Sequence, residues 1–342
     1  MRPLTPKHIA WICAGLGGVL FVIVVFSLKV GAYPIAVSDV VMTLLRGTAA
    51  IFTGHWGSIP PTDKLVVFGL RLPRIALGVL VGAALSVSGA SFQALLRNPL
   101  ADPYVLGVSS GSALGAICSL AWFPRFPWTM QALAFVGALL TITAVYFLGR
   151  RGGQLDSTTL LLAGIIAASF LSAIIMFLMT TVSGRDLRGM AFWLMGDLAT
   201  PPALRLRFLF IVLLLAIGAI YTTASDLNLI LTGEREAHHL GVNVARVKLV
   251  VYVGASLLTG LAVSVSGAIG YVGLLIPHVI RMLFGSDYRL LIPASALGGA
   301  IAVCLADTLA RTIVAPTELP VGAMTAAIGA PVFIYLLRRR LT

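Results

Sequence analysis

SDLNLILTGEREAHHLGVNVARVK, residues 225–248, is a polar, charged interruption deep inside an otherwise lipid-like chain, and it divides that chain into two apolar halves. Glu234 and Glu236, two of the three glutamates in the sequence, stand here beside Arg235, His238, His239, Arg246 and Lys248. Good helix formers run from Glu234 to Leu240 and Gly241 follows as a natural C-cap, so the stretch predicts a short helix closed by a turn. Two readings stand side by side: an ordinary solvated loop, or a handle gripped by a soluble partner.

The flanks decide what kind of chain carries this interruption. Hydrophobic residues make up 59% and charged residues 11% of the 342 positions, and the mean hydropathy is +1.01. A soluble domain carries roughly a quarter charged residues, so the composition predicts an all-α polytopic membrane protein. A net charge of +12 would suggest nucleic acid in a soluble protein. Here the basic residues are scattered between apolar spans, which fits loop charge and topology and excludes a nucleic-acid partner. Cys13, Cys118 and Cys304 all fall inside apolar runs with no C-x-x-C, so they read as small buried hydrophobes without disulfide or metal roles.

Outward from the interruption, ten spans are predicted within a single domain covering residues 1–342. Their approximate bounds are 9–28, 75–96, 105–122, 128–148, 158–181 and 208–223 before it, then 249–265, 271–284, 290–309 and 321–337 after it. The first run is longer than a signal-peptide core and reads as a retained helix. Residues 31–71, with Pro34, Pro60 and Pro61, read as an external loop holding one short amphipathic helix around Val37 to Leu45. Residues 182–207, with Arg185, Asp186, Arg188, Trp193, Asp197, Pro201 and Pro202, read as a second external segment. Trp122 and Trp128 read as interface anchors, and Arg150-Arg151 and Arg338-Arg339-Arg340 as cytoplasmic charge, which places both termini in the cytoplasm.

The pentapeptide at Ser86–Ala90, SVSGA, recurs at Ser264–Ala268, each time late in a span. Five spans separate the copies, and an odd number inverts the second, the pattern of inverted-repeat transporters; chance in a chain rich in small residues is the competing account. With 35 glycines, close helix packing through small faces is expected in either case.

Catalytic chemistry is not legible. No phosphate-cradling G-x-x-x-x-G-K-[ST], no H-E-x-x-H, no nucleophile elbow and no carboxylates paired at catalytic spacing occur, so no catalytic residue, cofactor or metal is expected. Ionisable groups in the spans are few, chiefly His278 and Asp307, which argues against ion-coupled transport. Charge placement says more. Arg71, Arg74, Arg185, Arg188, Arg205, Arg207 and Arg311 fall on the side that the positive-inside rule disfavours. They either serve a purpose there or cap helix ends and snorkel to headgroups.

RLPRIALGVLVGAALSVSGASFQALLRNPLADPYVLGVSSGSALG (71–115), GEREAHHLGV (233–242), GAIGYVGLLIPHVIR (267–281) and ELPVGAMTAAIGAPVFIYLLRR (318–339) together closely resemble the FecCD-type permeases. These are membrane subunits of ABC importers for iron chelates, haem and cobalamin. The resemblance runs from about Arg71 to the C-terminus. It implies the ABC type II importer permease fold, of about ten transmembrane helices with an inverted internal repeat, in the cell inner (plasma) membrane. It further implies a second permease subunit as a homodimer partner, two copies of an ABC ATPase subunit, and a periplasmic or lipid-anchored substrate-binding protein.

Carried over residue by residue, the resemblance gives the segment 225–248 a coupling role, with Glu234, Ala237, Leu240 and Gly241 in a cleft of the ATPase. It makes Arg71, Arg74 and Arg311 the dock for the binding protein, and Asn98, Leu100, Ser157 and Thr158 the cytoplasmic gate of the pathway. The fifth span should line that pathway, with Ser172, Met176 and Met179 as candidates to face it. Ferric siderophore, haem, cobalamin and an oxyanion all remain open as substrates. The alternative from another class is a self-sufficient ion-coupled secondary transporter or channel; a membrane-embedded enzyme lacks any catalytic constellation.

Overall fold

The computed structural model describes residues 5–341 except 32, 34, 54–59, 124, 152–153, 182–183, 200–202 and 316. Helix α1 (Pro6–Lys29) begins where Thr5 caps the His8 N–H and Pro6 supplies the fixed φ of a first helical residue; Lys29 sits in its last turn, where a cation suits the helix dipole. The amphipathic helix α2 (Val37–Thr53) follows and is longer than expected.

The largest departure from the sequence reading comes next. Helix α3 (Pro61–Lys64), a π-type stretch (Leu65–Arg71) and α4 (Leu72–Leu95) form one unbroken helical run, so the second apolar segment starts fourteen residues ahead of Ile75. Pro61 starts this helix, because a missing N–H costs nothing in a first turn. Pro73 removes an intrahelical donor and would crowd the carbonyl four residues back. The wider turn accommodates it, with the Leu72 N–H donating to Val67 five residues behind.

Beyond a 3-10 turn (Pro103–Leu106) come α5 (Val108–Trp122), α6 (Pro127–Leu148) and α7 (Ser157–Thr181). Between α6 and α7 lies a two-residue antiparallel pair, β1 (Arg150–Arg151) and β2 (Gln154–Leu155), with Arg150 opposite Leu155. The expected external segment contains helix α8 (Gly184–Leu194) and then the start of α9 (Ala203–Thr222), which bends by 46° into α10 (Ala224–Thr232). Residues 225–232 are therefore helical, with Leu227 and Ile230 buried, and not part of a polar loop. The chain closes with α11 (Glu234–His239), α12 (Val244–Ser266), α13 (Val272–Phe284), α14 (Tyr288–Ala310) and α15 (Val321–Leu341).

Six of the described helices are long and apolar enough to cross a membrane, α9 and α10 together make a bent seventh, and α5, α13 and α15 are shorter apolar helices. Together these make ten apolar helical segments, in keeping with the expectation of about ten.

Helix α4 is the centre, buried along most of its length and packed by α14, α12, α13, α9 and α1. Its approach to α14 depends on two facing glycines: a Cβ on Gly82 would lie 2.2 Å from the Gly299 carbonyl oxygen, and one on Gly299 would lie 2.1 Å from that of Gly82. Without a hydrophobic drive between helices in lipid, such backbone proximity supplies the van der Waals contact that holds them. The two helices bearing the SVSGA echo, α4 and α12, also pack together, and Ser88 Oγ donates to the Ala255 carbonyl at 2.8 Å. Between α12 and α13 the backbone leaves helical geometry at Gly267 and Tyr271, both at positive φ. The Tyr104 hydroxyl accepts from the Ile269 N–H and donates to the Ile269 carbonyl, each at 2.9 Å, and so satisfies peptide groups that lipid could not.

Candidate functional site

Helix α11 is too short to hold itself together in water, and its stability comes from its two ends. At its C-terminus the Val242 N–H donates to Ala237 and the Gly241 N–H to His238, both at 3.0 Å, the double bond pattern of a Schellman motif. Gly241 supplies the left-handed residue, at φ +86°. Ala237 and Val242, the apolar pair that accompanies this motif, are both buried in the main core. At the N-terminus Glu234 is held by two cations: Lys248 Nζ of α12 at 2.8 Å, and the Arg97 guanidinium, just past α4, at 3.2 Å. Arg97 also donates to the Ile230 carbonyl at 3.0 Å. The platform is therefore stapled to α4, α10 and α12 together.

This sorts the four residues expected to couple. Ala237 is fully buried against the protein's own core, and Glu234 is engaged with Arg97 and Lys248. Gly241 is exposed, and Leu240 is 65% exposed, an apolar side chain on a charged face. Arg235, Glu236, His238 and His239 point outward with it. Beside this face lies a cavity of about 1120 Å³, lined on one side by α11 and the start of α12 and on the other by Tyr146 and Arg150. The Arg150 guanidinium sits 5.6 Å from the Tyr146 ring centroid. Arg150, Arg235, Arg246 and Lys248 outnumber Glu234 around it, so the recess suits an acidic visitor.

The four residues expected at the gate lie just past the end of α4 and at the start of α7. Ser157 Oγ donates to the Leu95 carbonyl at 3.1 Å, which ties the start of α7 to the end of α4. Asn98 Oδ1 accepts from the Leu100 N–H at 2.9 Å, an Asx-turn that fixes the loop. Asn98, Leu100 and Thr158 are exposed. On α7, Ser172 and Met176 are exposed, whereas Met179 packs against the cluster containing Ile117 and Ile175.

The three arginines expected on an accessible surface are instead buried, each 6–7% exposed. Arg74 Nε donates to Asp307 Oδ1 at 2.8 Å, and its Nη1 donates to Glu318 Oε2 at 2.6 Å. Arg311 Nε lies 3.1 Å from Asp307 Oδ2, one turn away on the same helix. Arg311 also donates to the Ser27 carbonyl at 3.4 Å. Arg71 donates to the carbonyls of Leu28 and Lys29, at 2.6 and 3.2 Å, and to that of Tyr33. The arginines thus satisfy the open carbonyls at the end of α1 and neutralise Asp307, tying α1, α4 and α14 together. Burial of two guanidiniums around one carboxylate holds only because each partner is present; removing one leaves an uncompensated charge. Of this cluster, Glu318 alone reaches the surface appreciably, at 47% side-chain exposure.

Glu318 escaped the sequence reading because nothing in the spacing joins it to Arg74, 244 positions earlier. The side chains of Arg185, Asp186, Arg188 and Arg205, and Pro201 and Pro202, lie outside the described residues. Among the described residues no group of three potential ligands is placed to hold a metal ion.

The FecCD transport family profile matches residues 19–339. The cobalamin import system permease of Halobacterium salinarum is 38% identical over 99% of this chain and 99% of its own length. The hemin transport system permease of Yersinia pestis is 42% identical over 79% of this chain and 82% of its own. An inward-facing structure of a metal-chelate type ABC transporter superposes with a TM-score of 0.80 at 32% identity, covering 96% of this chain and 99% of that one. Over nearly its whole length, then, the chain belongs to the FecCD transport family and has the ABC importer permease fold.

Proposed function

We propose that this permease subunit forms the inner-membrane pathway for an iron chelate (ferric siderophore or haem) or cobalamin, paired with a second copy of itself, with both termini in the cytoplasm. Two ATPase subunits energise it, and a periplasmic or lipid-anchored binding protein loads it. The observation that carries this reading is the rigid mounting of α11. A polar six-residue helix stapled to three others and presenting Leu240 to solvent has the form of a part that transmits force from a soluble partner. The relatives named for cobalamin and hemin transport support the substrate class. The exposed apolar face of α7, with Met176 and Phe170, supports a pathway shared with the second copy.

Asp307 argues against an ion-coupled carrier, because its charge is already matched by Arg74 and Arg311. The burial of Arg71, Arg74 and Arg311 gives the docking role a specific form: a carboxylate of the binding protein replaces Glu318 on Arg74 at the outer rim. The deciding measurement is substrate uptake by vesicles containing this chain, the ATPase and the binding protein, with proton and sodium gradients collapsed by ionophores. Uptake that needs ATP and persists without gradients is expected; uptake that needs a gradient and ignores ATP would overturn the reading. The purified chain alone is expected to hydrolyse no ATP.

A further inference from the structure

A groove of about 640 Å³ runs between α1, α4 and α9 on the outside of the bundle. Val24 of α1, Ile75 and Val79 of α4, and Phe210 and Ile211 of α9 line it. The volume falls in the roughly 300–1,000 Å³ range of small-molecule sites. All three walls belong to helical segments apolar enough to cross a membrane, so the groove opens to hydrocarbon. One lining residue breaks the pattern: Arg207, exposed, one turn from the start of α9. It has no hydrogen-bond or ion-pair partner among the described residues, and no acidic side chain lines the groove. This contrasts with Arg71, Arg74 and Arg311, which donate to backbone carbonyls or lie in ion pairs with Asp307.

We propose that this groove is a binding site for one acyl chain of an anionic phospholipid whose phosphate is held by Arg207. The chemistry follows from what a bilayer offers. Apolar walls gain nothing over bulk lipid from the tail as such, so selectivity must come from shape and from the headgroup. A guanidinium matches a phosphate with two parallel N–H donors, and the positive end of the α9 dipole lies on the same side. A zwitterionic headgroup brings its own cation to a site that already holds one. Another apolar helix would bury Arg207 without a partner, which costs far more than leaving it at the headgroup level.

The test is native mass spectrometry of the detergent-solubilised transporter, titrated with phosphatidylglycerol or phosphatidylcholine of matched chain length. Phosphatidylglycerol is expected to bind about tenfold more tightly, the yield of one desolvated charge-assisted contact. Arg207→Gln should abolish that preference and Arg207→Lys should keep most of it. Ala76→Phe, which fills the groove from a half-buried position, should release both lipids while the assembly still elutes as wild type on gel filtration. If Ala76→Phe disturbs assembly, the Arg207 pair decides alone. Equal binding of the two lipids, an unchanged preference in Arg207→Gln, or chain-to-chain disulfide formation through Ile211→Cys in a background lacking the native cysteines would each overturn the proposal.

Discussion

Ala237 lies on α11 and Leu240 three residues on, at its C-cap, yet one is fully buried and the other is 65% exposed. Substituting them should therefore separate folding from docking. Fully burying a leucine side chain is worth about 1.5–3 kcal/mol, and about two-thirds of that remains available at Leu240, or roughly 1–2 kcal/mol. Leu240→Ala should lower the affinity for the ATPase by about 5- to 30-fold and leave thermal stability within about 0.5 kcal/mol of wild type. Ala237→Leu forces three carbons into filled space and should cost about 1–3 kcal/mol of stability, appearing as a lower melting temperature. Binding of the separately purified ATPase to nanodisc-embedded permease, with substrate-stimulated hydrolysis and thermal unfolding on the same samples, measures both effects. If Leu240→Ala leaves affinity and stimulation unchanged, or lowers the melting temperature as much as Ala237→Leu, the exposed face of α11 is not the contact.

Three further outcomes follow from the ion pairs. Asp307→Asn leaves Arg74 and Arg311 buried against a neutral partner and should destabilise the chain by about 3–5 kcal/mol, read as a fall in melting temperature; Asp307→Asn with Arg311→Met should recover part of it. Glu318→Gln loosens the half-exposed hold on Arg74 and should raise the association rate of the binding protein modestly. That effect should shrink as salt is raised from about 0.1 to 1 M. Asp287 accepts from Arg289 through both carboxylate oxygens and from Asn228, and these bonds hold its carboxyl down from 3.8 to about 2. A lowered folded value means the charged form is favoured in the fold. The stabilisation is therefore complete above about pH 4 and is lost as pH falls toward 2. Asp287→Asn should flatten that acid limb in a pH series of melting temperatures, while Asp287→Ala should cost about 1 kcal/mol at neutral pH through loss of the α14 N-cap.

The parts of this fold that local chemistry decides were legible, and those decided at long range were not. Apolar run length located the ten helical segments because lipid leaves a backbone no other way to satisfy itself. The short helix at Glu234 and its closure at Gly241 were legible from residue type, since a left-handed C′ position favours glycine. The helix entering α4 is not legible in the sequence, because Pro60 and Pro61 read as part of an external loop that ends at Arg71. A proline starts a helix as readily as it stops one, and an arginine in a membrane helix is tolerated once carbonyls and carboxylates surround it. Arg74 meets Asp307 and Glu318, 233 and 244 positions away, and no local pattern encodes such a meeting. The same holds at the proposed coupling surface. Sequence placed Ala237 and Leu240 on one helix, but which of them faces solvent depends on where α4, α10 and α12 press against it. A six-residue helix has too few turns for hydrophobic periodicity to reveal its buried side, so its orientation is a tertiary fact. If Leu240 is the contact, as proposed, a push there has a physical route to α4 through Glu234 and Arg97, a contact of 3.2 Å, and α4 is tied in turn to the start of α7 by the Ser157 bond to Leu95.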